Sequence, residues 1–360
     1  MLRDFDPDDP LAHEFRTKVE GAIAHFLNQQ RPLMQEVGTS ALLEVALGYA
    51  LGGKRLRPAF CYWAHEAVGG EPSEREAVLQ VAASLDVLHI SALVHDDLID
   101  AADTRRGLPA AHKRFEMLHV ERGGRGSIQE FGAAAAVLLG DMLLMWSAEM
   151  FDTAGATNLE AARPELSRMR SEVTAGQFLD ISAAFDVADY PDPLVVAEKV
   201  LEYKSASYSM RRPSTIGARL AGADDAALAR LASFGSHVGH AFQLRDDLLG
   251  VWGDESLTGK PTGGDLREGK ATVLVLTALN RADATAAARL REVLGAKDAR
   301  ERDIVAAAEI IEATGARASV EGLIEDHLSQ GLEALHSGGF SAAGTAALTR
   351  LAELSVRRAY

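Results

Sequence analysis

Apolar residues recur along this chain at intervals of three and four, the period of a helix with one buried face, and strand-like alternation is scarce. The pattern predicts helices over 11–29 and 40–51, the second closing at Gly52-Gly53, where glycine suits a C-cap. Pro58 fits the first turn of the next helix. Ser73 is expected to cap a long helix that reaches about Ile99. Further helices are predicted over 128–153, 158–185, 192–221, 224–250, 271–280, 284–294, 301–313, 316–336 and 341–357. Three stretches interrupt the period. The segment 101–127, with Gly107-Leu108-Pro109 and Gly123-Gly124-Arg125-Gly126, reads as a loop; Tyr190-Pro191-Asp192-Pro193 reads as a turn; 253–269 reads as a charged, glycine-rich loop. No short repeat and no linker divides the chain. The expectation is one all-α domain over 1–360, with 1–10 as a flexible N-terminal segment.

Composition narrows the partners. The 360 residues suffice for a large core, and a net charge of −15 argues against nucleic acid or an anionic membrane surface. One cysteine, Cys61, excludes an internal disulfide and fits a reducing compartment. The acidic first ten residues lack the apolar core of a signal peptide. The most apolar stretch, 131–140, stops at Asp141, so no transmembrane segment is expected, and the cytoplasm is the expected location.

Against that acidic background two aspartate-rich segments stand beside basic residues. His95-Asp96-Asp97-Leu98-Ile99-Asp100 precedes Arg105-Arg106, and Gln243-Leu244-Arg245-Asp246-Asp247 precedes Asp254, Lys260, Asp265 and Lys270. Asp96 and Asp100 are four apart and share a helical face, where they repel unless a cation lies between them. Magnesium accepts one or two carboxylates and completes its shell with water and substrate oxygens. By itself Asp-Asp-x-x-Asp is as often a solvated helix end, but Leu88, Leu93, Val94, Leu98 and Ile99 predict a mostly buried helix with its acids at a cavity mouth. The second set is thinner, because the position one turn after Asp246 is Gly250. Lys54, Arg55, Arg57, Arg105, Arg106 and Lys204 supply cations that can grip phosphate oxygens, although a lone Lys-Arg-x-Arg is usually surface. His89, Gln177 and Gln243 are polar candidates that are more often structural. Diphosphate as a leaving group unites these features.

In order and context the motifs resemble the trans-isoprenyl diphosphate synthases, the polyprenyl synthetase family, from about residue 40 to residue 280. The similarity rests on Gly52-Gly53-Lys54-Arg55-Leu56-Arg57-Pro58, the helix from Leu88-His89 to Asp100, Asp103-Thr104-Arg105-Arg106-Gly107, Gly176-Gln177 with Asp180, Phe242-Gln243-Leu244-Arg245-Asp246-Asp247, and the run from Gly259-Lys260 to Lys270-Ala271-Thr272. The resemblance implies an isoprenoid-synthase helical bundle around a central cavity, and usually a homodimer. It implies three Mg2+ ions per active site, or Mn2+ in their place, held by Asp96, Asp100 and Asp246. An allylic diphosphate would meet Arg105, Gln177, Lys204, Ser205, Gln243, Lys260 and Lys270. Isopentenyl diphosphate would meet Lys54, Arg57, His89 and Arg106, and the departing diphosphate would take the proton. Gly250 departs from the family's third aspartate, and Arg211-Arg212 has no counterpart role.

Product length follows from the same resemblance. In that family a bulky aromatic four or five residues before the first aspartate stops growth. Here those positions are Ala92 and Ser91, with Leu88 a turn deeper. The expected product is geranylgeranyl diphosphate, C20, with farnesyl or longer diphosphates as alternatives. Ser91→Phe is expected to shorten it. Met142, Met145 and Trp146 are candidates for the floor of the pocket. A class I terpene cyclase is the nearest rival, disfavoured by the second basic set; a non-catalytic regulatory subunit is disfavoured by the intact first motif.

Overall fold

A computed structural model describes residues 5–185, 187, 190–253, 262–296 and 298–357. Its helices are α1 His13–Gln29, α2 Arg31–Val37, α3 Ser40–Ala50, α4 Leu56–Val68, α5 Arg75–Ile99, α6 Ala111–Glu121, α7 Ile128–Asp152, α8 Leu159–Ala184 and α9 Pro193–Val200. A π-helical segment, Leu201–Arg211, then leads into α10 Arg212–Leu220. There follow α11 Asp225–Trp252, α12 Gly264–Glu268, α13 Val273–Arg281, α14 Ala284–Val293, α15 Glu301–Ala313, α16 Ala316–His336 and α17 Ala342–Val356. The all-α class expected from the apolar period is what the chain forms.

Helix α5 is the axis of the bundle. From Val78 to Ile90 only Gln80 and His89 escape full burial. A helix without a polar face must be enclosed, and α7, α4 and α1 do the enclosing. The other half is built on α11, which packs along α16 and the π segment. Buried apolar side chains form one cluster running from Phe5 to Val356.

Several local expectations fail for identifiable reasons. The segment 1–10 is not loose from Phe5 on: Phe5 is buried edge-on against Phe15 and Tyr62, and the Pro10 carbonyl accepts the Trp63 indole N–H. Ser73 does not cap α5, because Pro72–Glu74 form a 3-10 turn ahead of it. Helix α2 adds to the expected set. Within 101–127 lie a hairpin and α6: Thr104–Arg105 pairs antiparallel with Leu108–Pro109. Its two central residues, Arg106 and Gly107, have φ of 52° and 75°, the primed turn that matches the twist of two strands. By length and composition alone Pro72–Ile99 and Ile128–Asp152 are apolar enough to cross a bilayer, a test that the core helix of a helical bundle also passes. The first is mostly buried in the bundle and the second packs along it.

The π segment owes its place to glycine. A Cβ on Gly176 of α8 would stand 2.5 Å from the Lys204 backbone nitrogen. A Cβ on Gly235 or Gly239 of α11 would stand 2.6 Å from the Cα of Arg211 or Ala206. Three missing side chains thus let the wide helix press its backbone between α8 and α11. Widened turns of this kind are frequent at functional sites.

Candidate active site

The C-terminal ends of α5 and α11 carry the aspartates, and their surroundings are acidic and basic by turns. Asp96 is half-buried and accepts a 3.0 Å hydrogen bond from Gln177 Nε2 of α8. One turn on, Asp100 closes the helix. Desolvation and the Asp96 carboxylate raise its pKa, while the ammonium groups of Lys270 and Lys204 pull it down. Those two lysines therefore face the first aspartate pair from α12's end and from the π segment. Among the described residues no three His, Cys, Asp or Glu side chains form a metal site unaided. A pair of carboxylates that repel, with cations opposite, fits magnesium completed by diphosphate oxygens.

Asp97, between them, does something else. It is fully buried and accepts the Tyr49 hydroxyl at 3.0 Å and Arg105 Nε at 2.8 Å. Tyr49 in turn accepts the Ala111 N–H at 2.7 Å, tying the start of α6 to α5. Burial beside the Asp97 carboxylate pushes the Tyr49 phenol up. Arg105, expected at the diphosphate, is thus anchored to the middle aspartate, which fixes the hairpin at the cavity edge.

The other basic residues divide into an interior and a cavity group. Arg55, with φ of 56°, turns inward and pairs with Asp86 and Glu20, so it is structural. Arg57 lies 4.2 Å over the Tyr208 ring and donates to Ser209 Oγ at 2.8 Å, while its buried Nε has no protein partner. His89 Nδ1 is 3.4 Å from the Tyr208 hydroxyl. Burial, then the Arg57, Arg106, Arg105 and Arg55 charges, hold His89 far below its ordinary pKa, so it is neutral. Arg106 donates to the Leu51 carbonyl at 3.1 Å and lies against Gly53, which brings it to the loop bearing exposed Lys54. A concentration of cations with an orphaned N–H and a neutral imidazole has the chemistry to accept an anion.

Lys204 donates to Asp180 of α8 at 2.5 Å, and Ser205 beside it is half-buried. Gln243 donates at 2.8 Å to Asp247, one turn along α11. Asp247 is buried; desolvation and the carboxylates of Asp265 and Asp246 push its carboxyl up to about 8. Asp246 is half-buried. Lys270 donates to Asp265 at 3.2 Å and pairs with Glu268 at 2.7 Å, and these carboxylates raise its pKa against its burial. Lys260 and Asp254 lie outside the described residues.

The partly exposed residues of α5 are informative. His89, Ala92, Leu93 and Asp96 fall on one face, leading from the aspartates back along the helix. Ala92, four before Asp96, shares its face. Ser91 is turned away: it is buried, and its hydroxyl donates at 2.7 Å to the Gly140 carbonyl of α7. Leu88 and Trp146 are buried, Met142 is half-buried, and Met145 is exposed on α7. Ser91 thus belongs to the α5–α7 seam, and Ala92 to the partly exposed face that bears Asp96.

Arg211 and Arg212, without a role in the sequence, prove to hold the π segment. Arg212 pairs with Glu165 at 2.5 Å and with Glu172, both on α8; Arg211 pairs with Glu202 at 2.6 Å, and Glu202 also meets His240 Nε2 of α11 at 2.7 Å. Tyr49 and Tyr208 are further partners that residue spacing did not single out, since they reach the site from α3 and from the π segment.

The profile of the polyprenyl synthetase family matches residues 40–311. The chain is 32% identical over 311 residues to the (2E,6E)-farnesyl diphosphate synthase of Mycobacterium tuberculosis, covering 85% of this chain and 80% of that one. It is 30% identical over 317 residues to a geranylgeranyl diphosphate synthase of Sulfolobus acidocaldarius, covering 86% and 88%. The structure resembles that of a geranylgeranyl pyrophosphate synthase from Corynebacterium glutamicum, complexed with isoprenyl diphosphate and magnesium. The TM-score is 0.91 and the identity 35%, over 99% of this chain and 100% of that one.

Proposed function

The chain belongs to the polyprenyl synthetase family, and on that premise we propose that it condenses isopentenyl diphosphate head-to-tail with an allylic diphosphate to give geranylgeranyl diphosphate. The observation that carries this reading is the presence of two distinct cationic groups beside the C-terminal half of α5. Lys204 and Lys270 face the first aspartate pair. Arg57 and Arg106 surround His89 on the other side. A cyclase needs one diphosphate site; a condensing enzyme needs two.

Asp96, Asp100 and Asp246 would hold magnesium, which when bound neutralises charge on the leaving diphosphate. Lys204 and Lys270 add fixed positive charge, worth most where charge develops as the allylic C–O bond breaks; the family motif would add Lys260. Gln177 keeps Asp96 oriented. Arg57, neutral His89, Arg106 and Lys54 would grip isopentenyl diphosphate with its double bond toward the allyl carbon. The allylic C–O bond breaks first, leaving the pair of electrons on diphosphate and positive charge on the allyl carbon; the isopentenyl double bond then forms the C–C bond, and the proton lost from the new cation passes to the released diphosphate.

The test is product analysis. With magnesium, isopentenyl diphosphate and, separately, dimethylallyl, geranyl and farnesyl diphosphate, the purified chain is expected to yield a C20 alcohol after dephosphorylation. A cyclised hydrocarbon made without isopentenyl diphosphate would overturn the reading. A shorter or longer alcohol would retain the chemistry and overturn the length.

Small Ala92 on the cavity face supports C20. Ala92→Phe is expected to move the main product to C15 with little change in melting temperature. Ser91→Phe, offered by the sequence alone, is instead expected to cost about 1–3 kcal/mol by overpacking the α5–α7 seam. Equal chain lengths for wild type and A92F would remove Ala92 from the pocket.

The homodimer usual in the family has a ready surface here. Phe131, Leu138 and Met145 recur every seven residues along α7 and are 42%, 60% and 59% exposed. Met117 and Val120 are exposed on α6, which packs against α7. Contiguous exposed apolar surface of this kind marks an interface, and a twofold axis lets one patch cover its own copy. Light scattering is expected to give twice the chain mass, and the double change Leu138→Glu with Met145→Glu the single mass. A monomeric wild type would dispose of the idea.

A further inference from the structure

The second aspartate set lacks its last member in sequence, and the structure shows what fills the gap. Gly250 lies one turn after Asp246 on α11, where a side chain would share the Asp246 face. A Cβ built on Gly250 would overlap the carboxylate of Asp265, whose own Cβ is 3.1 Å away. Asp265 comes from α12, is only 8% exposed, and is held by Lys270 Nζ at 3.2 Å. The Asp265 carboxylate therefore lies against α11 one helical turn beyond Asp246, with Lys270 beside it.

We propose that Asp265 is the missing carboxylate of the second metal-binding set, delivered from α12 into the space that Gly250 leaves open, so that Asp246 and Asp265 together hold a divalent cation against diphosphate. The inference rests on the condensing function proposed above. It also explains the glycine: any side chain at 250 evicts the carboxylate that replaces it. Restoring the family's aspartate on α11 would therefore harm the site rather than repair it.

The test uses the full chain, Mn2+ and inorganic diphosphate, with free Mn2+ read by electron paramagnetic resonance. Wild type is expected to take up Mn2+ in the presence of diphosphate; failure to do so would overturn the condensing reading itself. Asp265→Asn is expected to weaken the uptake by about ten- to a hundredfold. Gly250→Ala, which leaves every acid in place, is expected to weaken it as well. Gly250→Asp alone should lose affinity, and Gly250→Asp combined with Asp265→Gly, which returns the carboxylate to α11 and clears its way, should regain it. Melting temperatures near wild type certify each variant. Wild-type Mn2+ affinity in D265N or G250A would overturn the proposal and leave Asp265 as a mere partner of Lys270. So would a folded double variant that fails to recover.

Discussion

Asp96→Asn is expected to lower the rate of condensation by about 10²–10³-fold, with the fold intact. The change removes one negative charge and keeps the shape, so Gln177 retains a partner. Asp96 raises the pKa of Asp100 by repulsion. The variant should therefore melt at the wild-type temperature or slightly above it, a trade of activity against stability typical of charged sites. Single-turnover measurement with isopentenyl and geranyl diphosphates separates the chemical step from product release. Near-normal turnover in D96N would strike Asp96 from the metal set. The matched control is Asp97→Asn. Asp97 is fully buried between Tyr49 and Arg105, so its loss should appear first as a fall in melting temperature.

Arg212→Ala is expected to be the most destabilising single change among the polar residues, at about 3–5 kcal/mol. Its side chain is 6% exposed and answers Glu165 and Glu172 at once. Removing it leaves two largely buried carboxylates short of a cation. Burial alone would raise the pKa of Glu172, yet hydrogen bonds from Arg212 and Ser207 hold it below the ordinary glutamate value. A depressed carboxyl pKa contributes stability that is present above the unfolded value of about 4.3 and is lost as pH falls through the folded one. The gap between wild type and R212A in urea unfolding should thus be full at neutral pH and narrow below about pH 4.3. Arg211→Ala, at a quarter-exposed pair, should cost less. A pH-independent gap would mean that packing of the arginine stem, not its charge, is what α8 requires.

The helices were legible because burying one face imposes a period that any reader of apolar positions can follow. The chemistry was legible where partners are close in sequence: Asp96 with Asp100 four residues apart, Arg105 with Arg106 in one turn. The hairpin was not, since strands of two residues leave no alternation to detect, and its turn places Arg106 where glycine would be the usual choice. The π segment was not, because 192–221 keeps an apolar helical pattern; what widens it is Gly176, Gly235 and Gly239 on its neighbours. Asp265 stood among the acids noticed in the sequence, but its fit over Gly250 joins two elements whose separation along the chain says nothing of their distance. Ser91 and Ala92 are adjacent letters on different faces of the helix, and burial with the hydrogen bond to Gly140 tells them apart.

The segment Leu201–Arg211 is fastened near both ends, by Lys204 to Asp180 and by Arg211 and Arg212 to the acids of α8 and Glu202. Each residue of this wider, i to i+5 bonded helix turns the chain by roughly 80–90°. One residue added or deleted between Lys204 and Arg212 would swing one fastening off its partner while the other held. What this stretch must preserve is a count. Its letters can be exchanged within the limits of size and charge, but its arithmetic cannot, so length variation among working versions of this protein should fall in the turns and spare these eleven positions.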